Sequence, residues 1–357
     1  MKPLAKLAIL VASLTVLCQS AMAAPTFGGN LPALRPGYTA LDEQQFDLAL
    51  TYLRPGDIAR VSTVEWEIAW GPGMEYNYRG IDRAIQKMAT KGLVPLWVLQ
   101  PCPAPNSPWY ATLWPDWWLP SRTLWPSLVT MNNAVAAHIV TETRKYTASA
   151  PLFQLWNEPA GGKPGGSSLS KYGEWSQDIH EFLYMLVTGL RQNQIQKWQI
   201  VAPAISSYGE SRRSETAEFL SMMPPKTFDW LSECGYRDCN LRLSAPGSHG
   251  LVSSVRAGFQ SSLDWFKWVD SRFPWPDGQQ VIVSELYVTP GDCDVPIGTP
   301  LYPYHAAALD LLKISGFRYV SLWGLRPVET DVPGDPYETY GGFGDSLVRW
   351  RGSKAAG

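Results

Sequence analysis

What the sequence has little of narrows its chemistry first. Four histidines and five cysteines in 357 residues form no CxxC pair and no HExxH motif, so neither a zinc-ribbon cluster nor a zincin site is written into the chain. It has no GxxxxGK[ST] phosphate loop and no GxSxG elbow, and no expected strand runs into a GxGxxG-type turn. These absences disfavour P-loop nucleotide hydrolysis, elbow-type serine catalysis and dinucleotide binding. No cofactor and no metal is implied. Charge of one sign is also missing: 30 basic residues against 32 acidic ones leave a net charge of −2. Without a Lys/Arg cluster, nucleic acid is not an expected partner. Beyond the N-terminal segment no apolar run reaches the ~20 residues that a membrane-spanning helix needs.

The N-terminal segment has a different character. Lys2 and Lys6 flank its start, an apolar run extends from Leu7 to Leu17, and Ala21-Met22-Ala23 fits a small-residue cleavage site. Residues 1–23 are therefore expected to be a signal peptide, and the product to be periplasmic or secreted. Cys18 follows Leu17, a residue too large for the usual lipidation context. Cys102, Cys234, Cys239 and Cys293 remain after cleavage, and an oxidising compartment favours structural disulfides, with three possible connectivities. Cys234 and Cys239 can close a small loop, which leaves Cys102 and Cys293 as a second pair.

No repeat or low-complexity tract appears, and the 30 prolines and 30 glycines are spread along the chain rather than gathered in a linker. One domain over 24–357, acting as a monomer, is expected. Short apolar runs recur at 57–63 (DIARVST), 93–99 (LVPLWVL), 152–156 (LFQLW), 198–203 (WQIVAP), 227–232 (TFDWLS), 280–286 (QVIVSEL) and 318–324 (RYVSLWG). Amphipathic stretches such as 78–92 and 172–192, with apolar residues at three- and four-residue steps, lie between them. An eighth strand is expected near 26–31, ahead of a helical 41–53. Strand and helix in alternation describe a parallel sheet covered by helices. Eight units of about 41 residues fit an α/β chain folded as a (β/α)8 TIM barrel. A doubly wound open sheet is the competitor, and it lacks its phosphate turn.

In such a barrel, residues at the strand C-termini face the substrate. Glu158 follows the fourth strand and Glu285 follows Ser284 at the tip of the seventh; these two tips lie across the mouth from each other. Paired carboxylates at a cleft are what glycosidic cleavage requires: one acid for the leaving oxygen, and one base or nucleophile at the anomeric carbon.

Asn157-Glu158-Pro159 after strand four and Glu285 after strand seven resemble the retaining glycoside hydrolases of clan A, and within the clan family 39 most. The likeness extends over 59–68, 92–109, LWNEP, FDWLSECGY (228–236), VIVSEL and SLWGL (321–325). The resemblance implies that Glu158 is the general acid/base and Glu285 the nucleophile. It also implies that Asn157 bonds the sugar 2-hydroxyl, that Tyr236 contacts the nucleophile, that Arg60 at the tip of strand two helps hold Glu285 ionised, and that Trp323 floors the sugar subsite. An oligo- or polysaccharide is the implied partner.

One departure concerns Ser232-Glu233-Cys234-Gly235-Tyr236, where the family pattern has histidine in place of Cys234. His249, in a Gly/Pro-rich loop, is a candidate to supply an imidazole to the cleft. Glu65 or Glu67 is placed either to bond a sugar hydroxyl or to form an ion pair. Trp109, Tyr110, Trp114, Trp117, Trp118 and Trp125 crowd the segment after strand three. Flat rings stack on pyranose faces. One or two of these are expected to reach the substrate, Trp109 being the candidate, while others pack the insertion's own small core. Two alternatives stand beside this reading: a clan A endoglycanase of another, cellulase-like family, and a non-catalytic carbohydrate-binding barrel.

Overall fold

The computed structural model describes residues 25–34, 37–63, 77–99, 122–156, 172–193, 195–196, 199–203, 205–206, 224, 227–236, 264, 281–287, 302–313, 317–322, 324–325 and 343–355. For 124, 172–179, 205–206, 231–236, 281, 284–287 and 304 it describes the backbone alone. Residues 1–23, expected to be a signal peptide, and Cys102, Cys239 and Cys293 lie outside the described residues.

The alternation in the sequence is realised as strand, helix, strand. In chain order the elements are β1 (Thr26–Asn30), α1 (Ala40–Thr51), β2 (Ile58–Ser62), α2 (Arg79–Lys91), β3 (Val94–Leu99), α3 (Trp125–Arg144), β4 (Leu152–Leu155) and α4 (Tyr172–Gln192). Two short pieces, β5 (Ile200–Val201) and β6 (Ile205–Ser206), precede β7 (Leu231–Tyr236), β8 (Val281–Tyr287), α5 (Tyr302–Lys313), β9 (Tyr319–Leu322) and α6 (Phe343–Ala355). Every pairing is parallel, in the order β5-β4-β3-β2-β1-β9-β8-β7-β6. β5 pairs with β4 and β6 with β7, while Val201 also bridges to Trp230, just ahead of β7. The two edges of the sheet thus meet in one short stretch of chain. The ring closes with eight strand positions as a (β/α)8 barrel.

Strand periodicity sorts side chains to the two faces of that ring. Ile58, Leu96, Leu152, Val201 and Ile282 form one buried cluster, with Val94, Trp230 and Tyr319 packed against it; these fill the bore. Their alternates Ala59, Val61, Trp97, Leu99, Phe153, Leu155, Val283 and Val320 belong to the larger cluster that meets the helices, with Phe46, Ile85, Val135, Phe182 and Leu309. Strands buried on both faces read as continuous apolar runs, which is why 93–99 carries no polar alternation. A Cβ on Gly28 of β1 would come within 1.7 Å of the Ile58 carbonyl oxygen, so only glycine lets those strands approach. Helix ends follow local chemistry. Thr39 and Asp42 form a capping box on α1, and Gly92, at φ 72°, ends α2 in the left-handed conformation.

One strand lies later than its sequence suggests. Residues 227–232 have a strand-like composition, but the strand runs from Leu231 to Tyr236. Asp229 is held in a turn, where its carboxylate accepts from the Arg191 guanidinium at 2.8 Å and from the Ile200 amide at 2.9 Å. Thr227 closes the same turn onto the Pro224 carbonyl. Side-chain anchoring of the approach therefore delays the pairing.

At the N-terminal end of the barrel, α6 is tied to the first two strands. Arg351 donates from Nη2 to both Asp57 carboxylate oxygens at 2.8 Å and to the Phe27 carbonyl at 3.3 Å. From Nη1 it donates to the Tyr52 carbonyl at 3.4 Å. Burial pushes the Asp57 carboxyl above its ordinary range, against the pull of the Arg54 amide and the Arg351 guanidinium. An acid raised in this way is costly when ionised in the fold, and the cost grows as pH rises through its folded-state pKa. Losing Arg351 enlarges that cost, because a buried charge is left alone. Arg351→Met is expected to destabilise the fold by about 3 kcal/mol at pH 7 and by less at about pH 4. Asp57→Asn added to it should recover part of the loss. Urea denaturation of both proteins checks this: a double variant no more stable than Arg351→Met at pH 7 contradicts it.

Candidate active site

Toward the C-terminal ends of the strands the bore changes from apolar to polar. One alternation above Ile58 stands Arg60, 5% exposed, and one above Leu152 stands Gln154, fully buried. Arg60 is the third of five residues in β2. It therefore sits inside the bore below the strand's tip, where Ser62 stands, rather than at the tip itself. Its Nε donates to Gln154 Oε1 at 2.9 Å and its Nη1 to Asn30 Oδ1 at 2.7 Å. Alternate strands of a barrel contribute to one layer, so β2 and β4 bring these side chains together although they are 94 residues apart in sequence.

Gln154 has a second bond, from Nε2 to the Trp156 carbonyl at 3.2 Å. Guanidinium groups only donate and carbonyls only accept. The orientation of the amide is thus dictated at both ends: oxygen toward Arg60, nitrogen toward Trp156. Trp156 itself has a φ of 69°, the one positive value outside glycine among the described residues. Its amide donates to the Leu99 carbonyl at 2.7 Å. Its ring, 2% exposed, packs edge-on against Phe182 with centroids 6.0 Å apart. A bulky residue in the left-handed region costs about 1–2 kcal/mol. Here that conformation turns the chain at the residue before Asn157-Glu158.

The seventh strand position carries its own irregularity. Against β7, Glu233 pairs with Val283 but Cys234 pairs with Glu285; against β9, Val283 pairs with Val320 and Leu286 with Leu322. On both sides β8 has one residue more than its neighbour, around Ser284. Such a bulge bends the strand and re-aims the side chains after it. The register sets Cys234 beside Glu285 and Tyr236 beside Tyr287. Tyr236 is the last residue of its strand rather than a residue beyond it, and shares a face with position 234.

Of the candidates read from sequence, Arg60 is described with its side chain, and Tyr236 and Glu285 by backbone. Asn157, Glu158, Trp323, Trp109 and His249 lie outside the described residues, as do Glu65, Glu67, Tyr110, Trp114, Trp117 and Trp118. Trp125 of the aromatic segment is placed: 4% exposed at the start of α3, its ring lies 5.7 Å from that of Phe182, so it packs the core. Asn30, Gln154 and the turn at Trp156 were not singled out from sequence. The signal for Gln154 is in the run LFQLW, where one amide interrupts four apolar residues at a bore-facing position. Among the described residues no helix is long and apolar enough to cross a membrane.

No protein-family model matches the sequence, and no curated protein matches it. Solved structures resemble its fold. An exo-beta-1,4-mannosidase from Opitutaceae bacterium strain TAV5 is 16% identical with a TM-score of 0.57, over 93% of this chain and 60% of the mannosidase; the chain thus spans well under two thirds of that protein. A GH5-4 broad-specificity endoglucanase from Clostridium acetobutylicum is 15% identical with a TM-score of 0.55, over 91% and 96%. A hyperthermostable endo-1,4-beta-D-mannanase from Thermotoga petrophila RKU-1 is 11% identical with a TM-score of 0.55, over 93% and 99%. At these identities the likeness concerns the barrel.

The backbone at position 156 makes a checkable claim. Glycine is ordinarily less stable than alanine in extended chain by about 0.5–1 kcal/mol, but a positive φ reverses that preference. Trp156→Ala is expected to lose about 3–5 kcal/mol through the cavity, and Trp156→Gly about 1 kcal/mol less than that. Denaturant titration of the pair reads the order, and alanine being the more stable variant contradicts the left-handed turn.

Proposed function

We propose that the chain is an exported retaining glycoside hydrolase, with Glu158 as general acid/base and Glu285 as nucleophile. The observation that carries this reading is the closed parallel ring: β4 ends at Leu155, three residues before Glu158, and the Glu285 backbone lies at the bulged C-terminal half of β8. Both strands open at the same mouth, above a bore whose upper layer holds a cationic side chain. A fold alone does not carry a reaction. What supports it is that β4 and β8 end at one mouth with Arg60 in the bore beneath; Glu158 and Glu285 are the carboxylates that this reading assigns to those strand ends.

In the first step Glu285 attacks the anomeric carbon while Glu158 gives its proton to the glycosidic oxygen. The C–O bond breaks, the aglycone leaves as an alcohol, and the sugar is held as an ester of Glu285. In the second step Glu158 takes a proton from water as the water oxygen attacks the same carbon, and both glutamates return to their starting states. One glutamate must start protonated and the other ionised. The Arg60 guanidinium favours the charged form of a neighbouring carboxylate, while a like charge and partial burial raise the pKa of the acid. Asn157 bonds the 2-hydroxyl, Tyr236 contacts the nucleophile, Trp323 floors the sugar, and Trp109 and His249 extend the cleft.

A mannosidase, an endoglucanase and a mannanase among the fold's neighbours support an oligo- or polysaccharide substrate. Their differing substrates leave the sugar to side chains at the mouth rather than to the barrel. Membership of family 39 rests on the sequence segments around Glu158 and Glu285. The family 5 endoglucanase favours the cellulase-like alternative, which uses the same two glutamates with other subsites.

Reducing-end release from a panel of β-glycans and aryl glycosides tests the assignment. Glu285→Gln and Glu158→Gln are expected to lower kcat/KM on a natural linkage by about 10²–10⁴-fold, with wild-type product released in the anomeric configuration of the substrate by NMR. Equal activity in Glu285→Gln and wild type, or an inverted product, contradicts the mechanism.

A further inference from the structure

Arg60 is held in the bore by two amides. Gln154 takes its Nε and Asn30 its Nη1, at 2.9 and 2.7 Å, and the Gln154 amide is itself locked by its bond to the Trp156 carbonyl. Both of these partners are neutral. A carboxylate at either position would make an equally short bond, stronger because charge-assisted, and would also offset the cation's field. An amide oxygen fixes the direction of a guanidinium and leaves its charge in place. That distinction matters only if the charge acts on something else. The bore below this layer is filled by Ile58, Leu96, Leu152, Val201 and Ile282, so water cannot screen the cation from beneath, and its field is directed toward the mouth.

We propose that Gln154 and Asn30 are positioning residues of the hydrolase site: their neutral amide oxygens orient the Arg60 guanidinium without themselves offsetting its charge, so that this charge acts on the nucleophile and holds it ionised. This deepens the proposed function and rests on it. It assigns to residues outside the reacting set the control of one measurable quantity, the pH at which activity is lost on the acid side. The acid limb of kcat/KM reports protonation of the free enzyme's nucleophile. A new anion beside Arg60 disfavours the charged form of a nearby carboxylate and raises its pKa. The limb must then move to higher pH.

The test uses the full-length protein with Gln154→Glu, Asn30→Asp and Gln154→Met, each measured as kcat/KM from about pH 3 to 9 on an aryl glycoside that the wild type hydrolyses. The first two keep shape and supply a carboxylate; the third removes the hydrogen bonds without adding charge. Gln154→Glu and Asn30→Asp are expected to shift the acid limb upward by about one pH unit each. Gln154→Met, which loosens the guanidinium without adding charge, should lower the plateau and raise the limb by less than half the shift of Gln154→Glu. A role in packing alone would change thermal stability and plateau but not the limb. The inference is overturned if neither carboxylate variant moves the limb, or if Gln154→Met moves it upward as far as Gln154→Glu does. Its failure is distinguishable from failure of the function. A wild type that hydrolyses no glycoside or glycan in the panel, or a Glu285→Gln variant with undiminished activity, overturns the hydrolase reading and this inference with it.

Discussion

Because the ring of strands closes with every pairing parallel, all strands deliver their C-terminal ends to one rim. That constraint organises everything else in the molecule. It makes each strand buried on both faces, forces the helices outward to cover the ring, and leaves the rim as the place where polar side chains can face solvent. Closure itself depends on a small piece of chain, Ile200–Ser206, which pairs with β4 at one end and with β7 at the other. The Arg351–Asp57 tie at the opposite end of the barrel holds α6 against β1 and β2, away from the rim.

Within the bore, one step along the strands separates an apolar layer from a polar one. The layer at Ile58 and Leu152 is hydrocarbon; the layer at Arg60 and Gln154 is a hydrogen-bonded polar network. A buried guanidinium is expensive unless its donors are satisfied, and the two amides take its Nε and one Nη1 donor at fixed geometry. The same Gln154 reaches the carbonyl of Trp156, where the chain adopts a conformation that only a well-packed ring makes tolerable. Strand four thus ends in a turn specified from inside the barrel. The proposed acid follows two residues later. On the other side of the mouth, the extra residue in β8 re-aims the chain at the proposed nucleophile. Irregularity at these two strand ends, in an otherwise regular ring, is where the fold departs from ideal geometry, as functional positions commonly do.

Much of the barrel was legible in the sequence because burial on both faces writes strands as unbroken apolar runs. Residues 93–99 and 152–156 are plain examples, and 172–192 reads as a helix over the same span the structure gives it. Strand six was displaced because Thr227 and Phe228 look extended, whereas the ion pair between Asp229 and Arg191, invisible without the fold, holds them in a turn. Trp125 was one of six aromatic residues among which the sequence did not separate substrate-facing from packing rings, and it is core, since composition cannot say which face of a helix a ring takes. Arg60 was legible through its resemblance to a family pattern, but its amide partners were not: Asn30 and Gln154 acquire meaning only when strands one, two and four are laid side by side. The bulge at Ser284 is a property of pairing and has no signature in the sequence. The remaining site residues were read from motif and order along the chain, and they stand as the proposal.

The central claim is that a carboxylate on strand seven forms a bond to sugar at this mouth. Incubation with 2,4-dinitrophenyl 2-deoxy-2-fluoro glycosides, whose good leaving group permits the first step and whose fluorine slows the second, would trap that bond. Intact-mass measurement and peptide mapping then read where it formed. The account predicts one fluoroglycosyl unit per chain, carried on Glu285. Stoichiometric labelling of any other residue would contradict it, as would steady turnover through a nucleophile elsewhere.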